Sequence, residues 1–321
     1  MIITKTPLRL SLLGGNTDFP EYYLNYGGRV LTTTIDKYVY CIVKKRFDDL
    51  VIVNYSVKET VKNVADLKHD LVREALLLTD ITKGIEITFL SDIPTEGTGL
   101  GSSSAVTIGL LNALHVYKGN MVTDEYLATE AIKIERENLG RHIGVQDQHS
   151  IAMGGMRVIE FMQSGRVYGA KIKLSDSVRE DLNNSLMLFY TGITRKAEDV
   201  LSGFDVYKNK PLLDQNKVFA EAGVLALLKG DLGKFGQLLH TYWEVKKQLS
   251  DKVSSPEIDA MYESARKAGA IGGKIIGAGG GGFLLVMFPA HKRAVIGKAL
   301  RKYRELPFRF SDAGSTVIFH I

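Results

Sequence analysis

One cysteine, Cys41, in 321 residues excludes an internal disulfide and any cysteine-built metal cluster. It lies in Tyr38-Val39-Tyr40-Cys41-Ile42-Val43, where it reads as a core residue. Histidine is also scarce: His142 and His149 bring no neighbouring ligand set, so no zinc site is read there. No apolar run approaches membrane-spanning length. The strand-like N-terminus lacks the segments of a secretory leader, and a cytoplasmic location is expected. A Lys/Arg block is missing too. The mild net charge of +5 suits anionic small molecules and not nucleic acid. None of Gly233-Lys234, Gly273-Lys274 and Gly297-Lys298 is followed by Ser or Thr, which excludes a Walker A loop.

What is abundant is glycine, and its placement carries chemistry. Gly97-Thr98-Gly99-Leu100-Gly101-Ser102-Ser103-Ser104-Ala105 leads into the helix-like Val106-Thr107-Ile108-Gly109-Leu110-Leu111. Glycines let backbone N–H groups approach an anion closely, and a helix start adds free donors and a positive dipole end. The run therefore suits nucleotide phosphates; on these residues alone a flexible connector remains open. A second run, Gly277-Ala278-Gly279-Gly280-Gly281-Gly282, lies between two strand-like segments. A dinucleotide fingerprint needs a helix after the turn, so this run reads as a glycine hairpin.

With 45% hydrophobic and 24% charged residues, the chain has the composition of a globular enzyme, and its length favours two domains. Strands are expected at 8–13, 29–35, 38–46, 51–55 and 85–90. Helices follow the serine run, from about 123 to 140, and at 145–152; strands at 156–161 and 167–172 close this half. The second half reads as a strand at 186–190, helices at 215–228, 232–249 and 256–269, the hairpin, a helix at 291–303 and a strand at 315–320. That order is ferredoxin-like. The Asp, Ser and Asn cluster at 175–186 divides the chain into 1–182 and 183–321.

Three motifs stand in order. They are Pro7-Leu8-Arg9 through Gly14-Gly15-Asn16-Thr17-Asp18, the run Gly97 to Ala105, and Lys274 to Phe283. The ordered set resembles the GHMP kinases. The resemblance implies an α+β, two-domain GHMP kinase fold, with a ribosomal-protein-S5-like N-terminal domain and a ferredoxin-like C-terminal domain. The family usually writes Pro-x-Gly-x-Gly-Leu-Gly-Ser-Ser, whereas Pro94-Thr95-Glu96-Gly97-Thr98 carries an extra residue, expected to lengthen the approach to the loop.

Gly14-Gly15-Asn16-Thr17-Asp18-Phe19-Pro20, Thr32-Thr33-Thr34-Ile35-Asp36-Lys37-Tyr38, Gly144-Val145-Gln146-Asp147-Gln148 and Phe189-Tyr190-Thr191-Gly192 are similar to the branch that phosphorylates heptose 7-phosphates at the anomeric hydroxyl. Galactokinases usually have Glu-His-Thr-Asp where Gly15-Asn16-Thr17-Asp18 stands here. A galactokinase- or fucokinase-type acceptor and a non-catalytic sensor on the same fold are the alternatives.

The resemblance implies ATP and Mg2+ as cofactors. Gly97, Gly99, Leu100, Gly101, Ser102, Ser103 and Ser104 would bind ATP, and Ser103 and Glu135 would hold the metal. Asp147 corresponds to the family's catalytic aspartate. Carboxylates are weak bases, so Asp147 is expected to orient the acceptor hydroxyl and take its proton late, as the metaphosphate-like group arrives. Arg9 would spread positive charge over the transferring group. Gly15, Asn16, Thr17, Asp18, Arg195, Gly279 and Gly280 would face the acceptor, and Arg141-His142 is a further candidate for an acceptor phosphate. The expected partners are a sugar phosphate and ATP, with no nucleic acid, no membrane, and a homodimer as one assembly open to the chain.

Overall fold

The computed structural model describes residues 1–94 and 97–321, so the expected lengthening at Thr95-Glu96 lies outside the described residues. Strands β1 (Ile2–Leu13), β2 (Gly28–Lys45), β3 (Val51–Asn54), β4 (Lys58–Val61), β5 (Ile85–Ser91), β6 (Arg157–Phe161) and β7 (Val167–Lys171) build a first sheet. Strands β8 (Leu186–Tyr190), β9 (Gly272–Ile275), β10 (Phe283–Met287) and β11 (Glu305–Leu306) form a second, antiparallel sheet in the order β11-β8-β10-β9. The chain then returns: β12 (Phe310–Ser311) pairs with β2, and β13 (Thr316–His320) pairs with β1. The path through the first sheet is β13-β1-β2-β5-β3-β4, and β3 runs parallel to β5.

The helices in chain order are α1 (Pro20–Tyr26), α2 (Asp70–Leu78), α3 (Ser102–Tyr117), α4 (Asp124–Ile132), α5 (Gln146–Met153), α6 (Asp176–Asn184), α7 (Ala197–Leu201), α8 (Lys210–Leu228), α9 (Leu232–Lys247), α10 (Pro256–Lys267) and α11 (Arg293–Ala299).

Two expectations need correction. The strands expected at 29–35 and 38–46 are one long strand, β2. Its pairing with β1 slips between Pro7/Tyr38 and Leu8/Ile35, and the ladder passes over Asp36-Lys37 as a bulge. The strand expected at 315–320 does not close the second sheet. Thr316 and Val317 pair with Lys5 and Thr4, and the short β11 takes the edge beside β8 instead. Residues 310–320 thus belong to the first sheet by hydrogen bonding, whereas the expected division assigned them to 183–321.

The core positions the site. Leu8, Leu10 and Leu12 on β1 pack in one buried cluster with Ala105, Ile108 and Leu111 of α3. Gly109 permits this approach: a Cβ there would lie 2.7 Å from Thr6 Oγ1, and Thr4 Oγ1 donates to the Gly109 carbonyl at 2.8 Å. The start of α3 is thereby held over β1, beside Arg9. Lys274 joins the two sheets. Its buried amino group on β9 donates to the Ser11 and Leu12 carbonyls of β1 at 2.8 and 3.1 Å, over the Tyr242 ring.

Candidate active site

A cleft of about 1080 Å3 opens between the two sheets. Arg9, Gly15, Asn16, Asp18, Gly97, Gly99, Gly101, Ser102, Ser103, Ser104, Glu135, Asp147, Arg195 and Gly279 all line it. Residues from the three separated motifs are therefore brought to one place.

The loop before α3 is locked by the hairpin. A Cβ on Gly99 would lie 2.4 Å from the Ile276 carbonyl, and one on Gly277 would lie 2.7 Å from Gly99 Cα. Both have φ near +75°, which glycine alone adopts without strain. Backbone thus touches backbone where the two motifs meet. The serine side chains do not cap the helix: Ser102 Oγ contacts Thr98 Oγ1 at 3.2 Å, and Ser103 and Ser104 donate to Glu135 Oε2 and Oε1, each at 3.1 Å.

Glu135 reaches the loop because Lys133–Asn138 is a π-helical turn that widens the end of α4. Its carboxylate is buried, accepts a further hydrogen bond from Gln148 Nε2 at 2.9 Å, and faces Arg141 Nη1 at 3.8 Å. Burial raises its pKa above the usual range, against the opposing pull of Gln148, Arg141 and the two serines.

Arg9, 4% exposed, grips Asp147 at the start of α5 with a two-pronged pair, and its Nη1 donates to the Gly99 carbonyl at 2.6 Å. Asp18 lies alongside. Gln146 donates from its backbone N–H and its side-chain amide to the two Asp18 oxygens, each at 3.0 Å. Burial pushes the Asp18 carboxyl up to about 6, the Gln146 N–H works against that shift, and the Asp147 charge adds to it.

Some expected residues are placed elsewhere. Thr17 does not line the cleft: its buried hydroxyl donates to the Gly14 and Arg29 carbonyls, which fixes the turn under Asn16. Leu100 is a core side chain beneath the loop, and its carbonyl accepts the Arg9 N–H at 3.0 Å. Gly280 gives its N–H to the Val253 carbonyl at 2.7 Å, outside the cleft lining. Arg141, read beside His142 as a partner for an acceptor phosphate, sits instead at Ser103, with Nη1 3.0 Å from its hydroxyl.

Sequence reasoning passed over several residues. Lys246 on α9 is buried and donates to the Ile275 and Gly277 carbonyls behind the hairpin; burial, with Arg9 nearby, lowers it to about 7. Also lining the cleft, His69 meets the Tyr55 ring edge-on at 4.7 Å and stacks on Phe89 at 6.1 Å. Nothing in their sequence spacing marks these four. Gln146 and Gln148 flank Asp147 in the quoted pentapeptide, and that adjacency was the available signal.

Residues 57–155 match the GHMP kinases N terminal domain, and residues 224–305 match the GHMP kinases C terminal domain. The chain is 34% identical to the D-glycero-alpha-D-manno-heptose 7-phosphate kinase of Campylobacter jejuni, over 94% of this chain and 93% of that protein. It is 27% identical to the galactokinase of Pyrococcus furiosus, over 94% and 93% of the two chains. The crystal structure of a D-glycero-D-manno-heptose 1-phosphate kinase from Bacteriodes thetaiotaomicron superposes with a TM-score of 0.84 at 27% identity, covering 100% of both chains.

Proposed function

This chain belongs to the GHMP kinase family, and from that premise we propose that it is an ATP-dependent sugar kinase that phosphorylates the anomeric hydroxyl of a heptose 7-phosphate. The observation that carries the kinase reading is the Arg9–Asp147 pair, set beside a glycine loop at a helix start. The heptose acceptor is supported by the 34% identity to the Campylobacter jejuni enzyme.

Phosphoryl transfer asks for positioning and charge relief more than covalent chemistry. The backbone of Gly97 to Ser104 would receive the phosphate tail at the start of α3. The His69, Tyr55 and Phe89 rings offer an apolar, stacking end for a base. Asp147 would hold the acceptor hydroxyl and accept its proton as the new O–P bond forms and the bond to the departing ADP breaks. Arg9 keeps the carboxylate aimed and places positive charge beside the transferring group. Asp18 would bind acceptor hydroxyls. Gln146 Oε1, which finds no partner among the described residues, supplies a further acceptor there. Arg195, exposed on the cleft wall, is a cation available to a distal phosphate.

The residues present fit a divalent cation. Ser103 Oγ and the buried Glu135 carboxylate are adjacent hard oxygens, and burial leaves that carboxylate in need of positive charge. Magnesium takes one or two protein oxygens and completes its shell with phosphate oxygens and water. When bound it would neutralise charge on the phosphate tail.

The test is a coupled ATP-consumption screen over sugars with and without a distal phosphate, with product NMR to locate the new phosphate. Turnover of heptose 7-phosphate with a new phosphate on C1 is expected. Equal turnover of galactose, or indifference to the distal phosphate, overturns the heptose assignment.

A further inference from the structure

Arg141 lies on the turn between the π-helical segment and α5, and its guanidinium meets one hydroxyl and three carboxylates. Nη1 donates to Ser103 Oγ at 3.0 Å and lies 3.8 Å from Glu135 Oε2. Nη2 pairs with Asp70 Oδ2 at 2.8 Å, and Nε with Glu198 Oε1 at 3.3 Å. Asp70 opens α2 and Glu198 stands on α7, after β8, so the last pair crosses the cleft between the two sheets.

We propose that Arg141 binds the phosphate tail of the nucleotide and that Glu198 competes with that tail for it, so that nucleotide binding breaks the cleft-spanning Arg141–Glu198 pair. The proposal rests on the kinase reading above. Three carboxylates at the mouth of a phosphate loop repel a polyanion, and one guanidinium already hydrogen-bonded to a loop hydroxyl is the cation placed to offset them. Its planar fork can hold Asp70 with one edge and offer its other donors to phosphate oxygens.

The tethers differ in strength. Burial opposes ionisation of Asp70, but charge attraction and a hydrogen bond from Arg141 overcome it and hold that carboxyl below its usual range. Glu198 is 49% exposed and makes one longer contact, the kind of solvent-screened pair that is readily given up. Arg141 therefore stays beside Ser103 while Glu198 leaves. Displacement of Glu198 also removes a negative charge from the wall that carries Arg195.

The experiment is calorimetric titration of MgATP and of adenosine into the full-length protein, Arg141→Gln and Glu198→Gln. Arg141→Gln should weaken MgATP binding roughly ten- to thirty-fold, as expected for losing a charged hydrogen-bonding group. Glu198→Gln should strengthen it by about three- to ten-fold through removal of the competitor. Adenosine affinity should change less than about two-fold in both, since it carries no phosphate. A pair that only braces the cleft would lose affinity when either half is removed, so weaker or unchanged MgATP binding by Glu198→Gln overturns the proposal. The Glu198→Gln arm decides the matter even where Arg141→Gln does not fold. A wild-type protein that binds neither adenosine nor MgATP overturns the kinase reading itself.

Discussion

Arg9 and Asp147, 138 residues apart, are joined by two parallel hydrogen bonds, Nε to Oδ1 at 2.7 Å and Nη2 to Oδ2 at 2.6 Å. A fork-to-carboxylate pair of this kind fixes distance and plane together. Arg9 is anchored from behind, because its Nη1 holds the Gly99 carbonyl and its own N–H holds the Leu100 carbonyl. The proposed base and the glycine loop proposed to bind phosphate therefore share one rigid reference.

Replacement of Asp147 by Asn keeps the shape, removes the proton acceptor, and turns an amide toward the guanidinium. Loss of kcat by about 10²- to 10⁴-fold is expected, with MgATP affinity changed only a few-fold. Single-turnover kinetics and nucleotide titration measure the two separately. A kcat within a few-fold of wild type would remove Asp147 from its role.

Arg9→Lys keeps the charge and loses the fork. One ammonium cannot hold both Asp147 oxygens and the Gly99 carbonyl, so kcat should fall by roughly 10²-fold. The acceptor KM should rise less than kcat falls, because the defect lies in transition-state alignment. An unchanged kcat would show that charge alone suffices at this position.

Gly277→Ala puts a methyl group 2.7 Å from Gly99 Cα on a backbone with φ of +76°. Backbone strain and steric conflict add, for a destabilisation of about 2–4 kcal/mol. Because the conflict is with the phosphate loop, MgATP affinity should fall as well. Chemical denaturation together with nucleotide titration reads both, and a variant as stable as wild type would contradict the tight contact.

Asp18 ionises near pH 6 in the folded protein, against 3.8 for the unperturbed group. The fold holds this proton more tightly than the unfolded chain does. Its contribution therefore favours folding fully below about pH 4, declines as pH rises, and is lost above about pH 6. Asp18→Asn removes the buried charge, so its Tm relative to wild type should improve from pH 4.5 to pH 8, by an amount worth about 2 kcal/mol. A relative Tm that falls over the same interval would reverse the assignment. Acceptor affinity should drop in this variant at every pH.

Legibility in the sequence followed the range of the interactions. Strand β8 and the N-capped start of α10 match expectation because apolar patterning and a Ser-Pro pair act within a few residues; Ser255 Oγ accepts from Ile258 N–H as such a cap should. The bulge at Asp36-Lys37 reads in the sequence as a break between strands, since charged residues in a ladder look the same as a loop until the partner strand is known.

From the sequence alone come the glycine run before α3, the glycine hairpin and the family that their order implies, because contiguous backbone-exposing residues are legible in local composition. The tertiary structure alone decides where the cations and carboxylates go. It turns Glu135 into the loop through a π-helical widening and moves Arg141 from the acceptor side to Ser103. It also sends Thr17 into a buried turn and returns β12 and β13 to the first sheet. Each of these is set by packing between segments far apart in the chain, and local propensity does not encode such contacts.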